Sequence, residues 1–382
     1  MIPKLPDRPP NQALADSLVP DRAVKGRGAV SNRTGRYETQ ERVAVADGWE
    51  HAPAPGEDDD TDPPSSPRTT VAVDTTRTII ARNDSPDIGF DRSINPYRGC
   101  EHGCVYCFAR PTHTYLGLSP GLDFETKLTM KPDAAALLEK ELRNPKYRCD
   151  VMAMGTNTDP YQPVEREYRV TRQILEVLSA FNHPVSIVTK SALVTRDIDI
   201  LADMAKRNLA WVALSVTTLD RGLARVMEPR ASTPQRRLKA IAELNAAGVP
   251  VAVMNAPIIP ALNDMEMERV LAAAAAAGAR SAGHVLVRLP LEIKGLFEEW
   301  LQAHFPDKAK HVLDLIRETR GGKLYQSEFG QRMKGTGPYA QLIHQRFKMA
   351  CRKLGLNKGE RGLDTSRFRP PPQAGDQLAL GL

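Results

Sequence analysis

The stretch Ser93-Ile-Asn-Pro-Tyr-Arg-Gly-Cys-Glu-His-Gly-Cys-Val-Tyr-Cys107 combines a short predicted strand, Ser93 to Arg98, with a loop of three cysteines. Cys100, Cys104 and Cys107 have the spacing Cys-x3-Cys-x2-Cys, whereas the other two cysteines are far away in sequence. Thiolates are the usual ligands of iron–sulfur clusters. The sequence therefore predicts a [4Fe-4S] cluster that is held by three thiolates and has one iron free to bind a further ligand.

A zinc site is the alternative interpretation of these cysteines, with His102 or His113 as the fourth ligand. Structural zinc sites usually combine two separated pairs of ligands, and a second pair is not visible in the sequence. The cluster is therefore the favoured interpretation. A disulfide framework is not expected, because the total of five cysteines is odd and three of them share one loop.

The composition predicts one large folded core between two tails. Of the 382 residues, 41% are hydrophobic and 26% are charged, which suits a chain with a large buried core. We predict a disordered tail over 1–74, an α/β core over 75–305, a basic helical extension over 306–367 and a flexible tail over 368–382. Neither a signal peptide nor a long apolar run is present, so we expect a cytoplasmic protein that binds no membrane.

Apolar runs alternate with amphipathic segments in the predicted core. Runs typical of strands that are covered on both faces lie at 93–98, 149–155, 184–189, 209–216, 249–255 and 282–287. Helical spacing of apolar residues is found at 164–180, 195–207, 233–247 and 264–277. This repeated βα unit predicts a parallel sheet. Periodicity alone fits both an open doubly wound sheet and a barrel.

Polar residues follow the predicted strands at their carboxyl ends, where active sites form in parallel α/β folds. The cysteine loop follows the first strand, and the later strand ends carry Gly155 to Asn157, Lys190, Ser215 and Asn255. The sequence therefore predicts one site that brings together thiols, a lysine, an amide and hydroxyls.

The cysteine motif, with Tyr106 before its last cysteine and a series of βα units after it, resembles the radical S-adenosylmethionine (SAM) superfamily. Three further stretches resemble the branch that contains spore photoproduct lyase: Thr158-Asp-Pro-Tyr-Gln-Pro-Val-Glu165, Val188-Thr-Lys190 and Glu228-Pro-Arg230. The resemblance implies a partial (β/α)6 barrel and a cluster whose open iron binds SAM. It also implies that the reduced cluster cleaves SAM to a 5′-deoxyadenosyl radical, which removes a hydrogen atom from the substrate.

The resemblance further implies that seven residues contact the cofactor: Tyr106, Gly155, Thr156, Asn157, Lys190, Ser215 and Arg230. Tyr106 corresponds to an aromatic residue near the adenine, and 155–157 to the segment that meets the methionine amino group. Lys190 and Ser215 correspond to contacts with the carboxylate and the ribose, which suits a cation and a hydroxyl. Arg230 would add a second cation.

Structural roles are the alternatives for these polar residues. Lys190 is alternatively a solvated strand-end lysine and Ser215 a packed hydroxyl. Arg230 is alternatively a surface ion-pair partner of Glu228.

Asp159, Glu165 and the remaining cysteines also have open interpretations. Asp159 and Glu165 either act in catalysis or cap the next helix. The lyase uses an extra cysteine as a hydrogen donor; Cys149 starts its predicted strand and does not fit this role. Cys351, in the helical stretch 339–354, is either such a donor or a buried apolar residue.

Basic residues are concentrated near the C-terminus. From Arg317 to Arg369 there are 13 Lys or Arg and four Asp or Glu, a surplus of nine, whereas the whole chain carries +6, so the remainder carries −3 (6 − 9). A basic patch beside a catalytic domain favours DNA or RNA as a partner, although solvated helix faces give the same pattern. The resemblance adds an electron donor of the flavodoxin or ferredoxin type.

Two functional hypotheses follow from these patterns. The first is a radical SAM enzyme with an unknown substrate, for which DNA and RNA are candidates. The second is a non-catalytic, metal-stabilised module that binds nucleic acid.

Overall fold

A sheet of sequentially ordered strands forms the centre of the fold. The computed structural model describes residues 22–40, 67–359 and 362–372. Its strands are β1 (Thr70–Val73), β2 (Ile80–Arg82), β3 (Arg92–Ile94), β4 (Tyr97–Arg98), β5 (Lys127–Met130), β6 (Met152–Met154), β7 (Val185–Thr189), β8 (Ala210–Ser215), β9 (Val251–Ile258) and β10 (Ser281–Leu286).

The strand order identifies the sheet as a partial barrel. The main sheet has the order β10-β9-β8-β7-β6-β3-β2, and all its pairs are parallel except β2 with β3. A doubly wound sheet would reverse its order at a switch point. Here each parallel strand pairs with the next strand of the same sheet along the chain, and the described residues show no pairing between β2 and β10. The predicted partial (β/α)6 barrel with a helical C-terminal part is confirmed.

Helices follow the strands and cover the outer face of the sheet. They are α1 (Asp123–Thr126), α2 (Ala134–Leu142), α3 (Glu165–Tyr168), α4 (Val170–Ala180), α5 (Ile198–Lys206), α6 (Arg221–Met227), α7 (Pro234–Ala246), α8 (Met267–Ala276), α9 (Ile293–His304), α10 (Pro306–Glu318) and α11 (Gly337–Leu354). In α4, Val170, Ile174 and Leu178 are buried at intervals of four residues, which places one apolar face of the helix against the core. Among the described helices, none has the length and apolar character needed to cross a membrane.

Two of the predicted elements are divided in the structure. The predicted strand 93–98 ends at Ile94, and Tyr97–Arg98 pairs with β5 in a separate three-stranded sheet. Pro96 has no N–H to continue the first ladder, which explains the break. The predicted helix 164–180 is interrupted at Arg169, whose φ of 52° lies in the left-handed region.

A short N-terminal segment packs on the cysteine loop. Residues 27–31, which we call the N-terminal strap, are all buried, and the Gly28 and Ala29 amides donate to the Glu125 carboxylate at 3.0 and 2.8 Å. Residues 22–40 and 67–74 were predicted to belong to the disordered tail, but the structure describes them. Residues 1–21 and 41–66 of that tail lie outside the described residues.

The C-terminal end also departs from the predicted tail. Phe368 contacts the rings of Tyr147, Phe181 and His183, so residues 368–372 belong to the folded structure. Residues 373–382 lie outside the described residues.

A loop of the C-terminal extension connects the two edges of the open sheet. Residues 321–336, which we call the bridging loop, join α10 to α11. The Leu286 amide at the end of β10 donates to the Met333 carbonyl at 3.0 Å. The Gly330 amide and the Arg332 Nε both donate to Asp87 at 2.6 Å, in the turn between β2 and β3. The bridging loop therefore spans the side on which the barrel is not closed.

A buried histidine predicts how stability depends on pH. His183, at the start of β7, is fully buried, and burial lowers its pKa to about 4. An unfolded histidine takes up a proton near pH 6.5. The stability that comes from keeping His183 neutral is thus complete above pH 6.5 and is lost as the pH falls towards 4.

We expect the free energy of unfolding to fall by about 2 kcal/mol between pH 7.5 and 5.0 because of this one group. Urea unfolding of His183→Gln should show a pH dependence that is smaller by that amount. His311→Gln, at an exposed histidine, is the matched control. An unchanged pH dependence in His183→Gln would contradict the assignment.

Candidate functional site

The cysteine loop is held by buried charged groups. It begins after β4, and the Cys100 amide donates to the Phe124 carbonyl at 2.9 Å. The buried Arg110 donates to the carbonyls of Cys104 and Gly103, at 2.9 and 3.1 Å, and pairs with Glu125 at 2.5 Å. Arg110 thus satisfies main-chain groups of a loop that has no regular structure of its own.

Glu125 joins the loop to the N-terminal strap, because its carboxylate accepts from Arg110 and from two strap amides. Gly28 of the strap lies so close to the loop that a Cβ built there would be 1.7 Å from the Gly103 carbonyl oxygen. Only glycine fits at that contact. Sequence periodicity does not indicate that Glu125 joins the N-terminal strap to the cysteine loop.

The three thiols form a donor set that fits an iron–sulfur cluster. Cys100 and Cys104 are buried, and Cys107 is partly buried. Burial raises the pKa of the Cys100 thiol well above its usual value and that of Cys104 to about 12. Thiolates in this pocket therefore need an added positive charge, which a bound metal supplies.

The arrangement of the three thiols also helps to distinguish a site for a single metal ion from a site for a cluster. In the parts of the chain that the structure describes, no group of three or more His, Cys, Asp or Glu side chains is arranged to hold a metal ion. A four-iron cluster binds each thiolate at a different iron, so it does not require the three thiols to converge on one point.

A buried carboxylate, Glu228, organises the site beneath the cysteine loop. It accepts hydrogen bonds from the Tyr106 hydroxyl, from Thr217 Oγ1 at 2.6 Å and from the Arg237 guanidinium. Arg237 also donates to the Ser215 carbonyl at 2.9 Å, at the end of β8. Burial opposes the charge on Glu228, but Arg237 and Lys190 offset it, so its pKa is lowered. The network fixes Tyr106 relative to the strand ends.

Lys190 lies beside this network, at the end of β7. Its ammonium nitrogen is 5.7 Å from the centre of the Tyr106 ring. Burial opposes its charge, but Cys104 and Glu228 raise its pKa, so the ammonium group stays protonated. Lys190 is half-buried among these groups. This position does not fit the alternative of a freely solvated strand-end lysine.

Asp159 ties the ends of two strands to the cysteine loop. Its carboxylate accepts from Thr189 Oγ1 at 2.7 Å and from the Lys190 amide at 2.8 Å, and His102 Nδ1 lies 3.3 Å away. Burial opposes its charge, but His102 and these hydrogen bonds lower its pKa to about 2. Asp159 therefore connects elements of the site, and its Oδ1 also accepts from the Tyr161 amide at 2.9 Å in the turn that leads to α3.

The segment 155–157 lies at the end of β6 and depends on a side chain that the sequence analysis missed. Gly155 has φ of 85°, and a Cβ there would be 1.9 Å from the Val188 carbonyl oxygen. Asn95 Oδ1 accepts from the Asn157 amide at 3.1 Å and from the hydroxyl of Thr156 at 3.4 Å. In the sequence, Asn95 lies inside the predicted strand 93–98 and directly before a proline, and nothing in the apolar pattern singles it out.

Arg230 and Glu165 have partners other than those expected. The alternative that paired Arg230 with Glu228 is wrong, because Arg230 pairs with Glu101 at 2.7 Å. Glu165 is buried, pairs with Arg196 at 2.7 Å and accepts from the Thr171 amide at 3.1 Å, in the first turn of α4. Glu165 thus accepts one amide near the start of α4, as the capping interpretation expects, and it also forms an ion pair that this interpretation did not include.

The two distant cysteines lie away from this end of the sheet. Cys149 is in the loop that leads into β6. Cys351 is buried in the main apolar core near the end of α11. Just after that helix, Asn357 Oδ1 accepts from the Ala282 amide at 2.7 Å, near the start of β10. This placement supports the buried apolar role for Cys351.

Much of the basic charge near the C-terminus is used within the fold. Arg317, Arg332, Arg346 and Arg367 pair with carboxylates. Exposed basic residues remain on α11: Lys348, Arg352 and Lys353.

Arg288 is a further cation at the site, next to the cysteine loop. It follows β10, and its guanidinium carbon lies 4.5 Å from the centre of the Phe108 ring. Burial lowers its pKa. The described residues include no carboxylate in an ion pair with it.

Comparisons with known proteins agree with this geometry. Residues 94–274 match the Radical SAM superfamily model. An uncharacterized protein of Mycobacterium tuberculosis is 40% identical over 230 residues, which are 60% of this chain and 68% of the relative. A radical SAM Nα-GlyT isomerase of Pseudomonas phage M6 is 24% identical over 275 residues, covering 68% of this chain and 51% of the relative.

The fold is similar to that of spore photoproduct lyase. A structure of that lyase with bound AdoMet and dinucleoside spore photoproduct has a TM-score of 0.55 and 18% identity, over 75% of this chain and 80% of the lyase. The likeness is one of fold. Together with the family match and the three thiols at the carboxyl ends of the strands, it shows that the chain belongs to the radical SAM superfamily.

Proposed function

We propose that the protein is a radical SAM enzyme in which Cys100, Cys104 and Cys107 hold a [4Fe-4S] cluster. The observation that supports this most directly is the thiol donor set, clamped by Arg110 and placed at the carboxyl ends of the parallel strands. When bound, the reduced cluster supplies the electron that cleaves SAM to methionine and a 5′-deoxyadenosyl radical. All five cysteines are free thiols, which suits the reducing cytoplasm that we propose as the location.

The surrounding residues are suited to binding SAM. Lys190 is a protonated amine in a partly buried cleft, and we assign it to the methionine carboxylate. The segment 155–157 is fixed by Asn95 and is assigned to the methionine amino group. Ser215, buried at the end of β8, is assigned to the ribose, and Tyr106, held by Glu228, to the adenine.

Arg230 has a less direct place in this scheme. Because it is paired with Glu101, its charge is already matched by a carboxylate before any ligand binds. We therefore assign it to the outer edge of the SAM site, as a second and weaker cation.

The substrate is proposed to reach the site from the side that the bridging loop covers. Arg288 lies there beside Phe108. Among the described residues, no carboxylate forms an ion pair with it. A cation of this kind favours a substrate with an anionic group. DNA and RNA remain the candidate substrates, supported by the exposed basic residues of α11 and by the lyase described as complexed with dinucleoside spore photoproduct.

Reconstitution with iron and sulfide under anaerobic conditions tests the enzyme proposal. We expect about four irons per chain and release of 5′-deoxyadenosine after addition of dithionite and SAM. Alanine at Cys100, Cys104 or Cys107 should abolish both, because each change removes one of three thiolates. Cys149→Ala is the matched control and should retain both. A fully loaded protein that releases no 5′-deoxyadenosine would instead favour the non-catalytic binding module.

Replacing Lys190 by methionine tests its contact with the carboxylate of SAM. We expect roughly a tenfold to hundredfold loss of SAM affinity in equilibrium dialysis, since a charge-assisted hydrogen bond is removed. Decarboxylated SAM separates this contact from a general disturbance of the site. The wild-type protein should prefer SAM over that analogue, and Lys190→Met should lose the preference; a preference that persists would contradict the assignment.

The close contact between the N-terminal strap and the cysteine loop predicts that the strap helps the loop to retain the cluster. Gly28→Ala introduces a methyl group that collides with the Gly103 carbonyl, so the strap must move away from the cysteine loop. We expect the reconstituted variant to lose its visible absorbance in air several times faster than the wild type. Gly89→Ala is the control, because a Cβ there meets no atom within 4 Å. Equal rates for both variants would show that the strap does not protect the cluster.

A further inference from the structure

Arg288 places a positive charge beside the third cysteine of the loop. It follows β10, and its guanidinium carbon lies 4.5 Å from the centre of the ring of Phe108, the residue directly after Cys107. Burial lowers the pKa of Arg288, and Tyr325 of the bridging loop and Cys107 act in the opposite direction. A guanidinium in such a place keeps its proton at neutral pH. The cysteine loop therefore has a permanent cation next to one of its thiols.

The charge of Arg288 is not matched within the fold. Three other cations of the site have carboxylate partners: Arg110 pairs with Glu125, Arg230 with Glu101 and Arg237 with Glu228. Asp87, a carboxylate near Arg288, is already bonded to Arg332 and to the Gly330 amide. In the described parts of the chain Arg288 forms no ion pair, so its charge is free to act on a neighbouring group.

A second buried arginine holds the segment that leads into Arg288. Arg320 lies just before the bridging loop, and its guanidinium donates to the Leu286 and Val287 carbonyls at 3.1 and 2.8 Å. Burial and the charge of Arg288 lower the pKa of Arg320 to about 10. Two cations thus lie close together near the cysteine loop. Such a pair favours any negative charge that arrives next to it.

We infer that Arg288 links the reduction potential of the cluster to the binding of an anionic group, a phosphate or a carboxylate, on the substrate side. The inference rests on the proposed function, because it needs a cluster at the three thiols. In the step, one electron passes from an external one-electron donor, which is oxidised, to the cluster, which is reduced and becomes more negative by one charge. An unpaired cation beside Cys107 stabilises this added charge and so raises the potential.

An anion bound to Arg288 reverses this effect. It neutralises the guanidinium, so the reduced cluster loses a favourable interaction and its potential falls. A cluster at a lower potential is a stronger reductant, and SAM cleavage consumes its electron. Arg288 thus keeps the reduced cluster a weaker reductant until an anionic substrate binds. By linkage, reduction of the cluster weakens anion binding by the same factor.

Replacing Arg288 by methionine tests the link through the midpoint potential, measured by EPR-monitored redox titration of the reconstituted protein without SAM. We expect Arg288→Met to disfavour the reduced cluster by about tenfold, which corresponds to a potential lower by about 59 mV for one electron. Arg288→Lys keeps the charge and should differ from the wild type by less than about twofold.

Lys323→Met is the matched control, because Lys323 is an exposed cation of the bridging loop whose charge is screened by water. It should leave the potential unchanged. Equal iron content in the three variants excludes loss of the cluster as the cause of a shift. A potential in Arg288→Met equal to that of the wild type would overturn the link.

Added anions form the second arm, which the wild-type protein can fail on its own. Sodium phosphate and sodium acetate are titrated separately, with the ionic strength held constant by sodium chloride. We expect the wild-type potential to fall with phosphate if the recognised group is a phosphate, and with acetate if it is a carboxylate, whereas Arg288→Met should respond to neither. A wild-type potential that neither anion shifts, or an equal shift in Arg288→Met, would show that the link is wrong.

The potential is measured independently of SAM cleavage. An unchanged potential in Arg288→Met together with normal release of 5′-deoxyadenosine would overturn the inference and leave the proposed function standing. A loaded protein that releases no 5′-deoxyadenosine still has a midpoint potential, so failure of the proposed function is distinguishable from failure of the link.

Discussion

A buried negative charge, the carboxylate of Glu228, is the constraint on which the site depends. A carboxylate away from water is costly unless charged and polar groups surround it. Here Arg237, Thr217 and Tyr106 supply those groups, and they come from different parts of the chain. The requirement to neutralise one charge thus fixes the aromatic ring of the cysteine motif against the strand ends.

A second buried carboxylate also supports the cysteine loop. Glu125 pairs with Arg110 and accepts the amides of Gly28 and Ala29. Glu228 and Glu125 therefore both hold the loop in place, although the loop itself contains little regular structure. Such a loop keeps its thiols in place through charge compensation rather than through backbone ladders, which makes its geometry sensitive to changes in distant segments.

The sequence predicted those features that are encoded locally. The three cysteines and the run of strands and helices are recognisable from spacing alone. The confirmed partial barrel and the role of Gly155 were implied by the resemblance to the radical SAM superfamily, because periodicity alone fits both an open doubly wound sheet and a barrel. The contacts of Glu228 and Glu125 with the cysteine loop and the strap were not predictable in this way. Tyr106 and Glu228 are 122 residues apart, and Gly28 and Glu125 are 97 residues apart. Contacts at such separations leave no period in the sequence. For the same reason the folded structure of the strap was not predicted, because its segment has a composition that is typical of disorder.

The bridging loop has a consequence for how the protein withstands aggregation. An open barrel leaves two edge strands with unpaired backbone groups, and such edges readily pair with other chains. Met333 accepts the amide of Leu286, next to β10, and Asp87 anchors the loop beside β2. The C-terminal extension therefore lies against the edge strand β10 and is anchored beside β2, so a core shortened before residue 321 would expose the β10 edge of the main sheet.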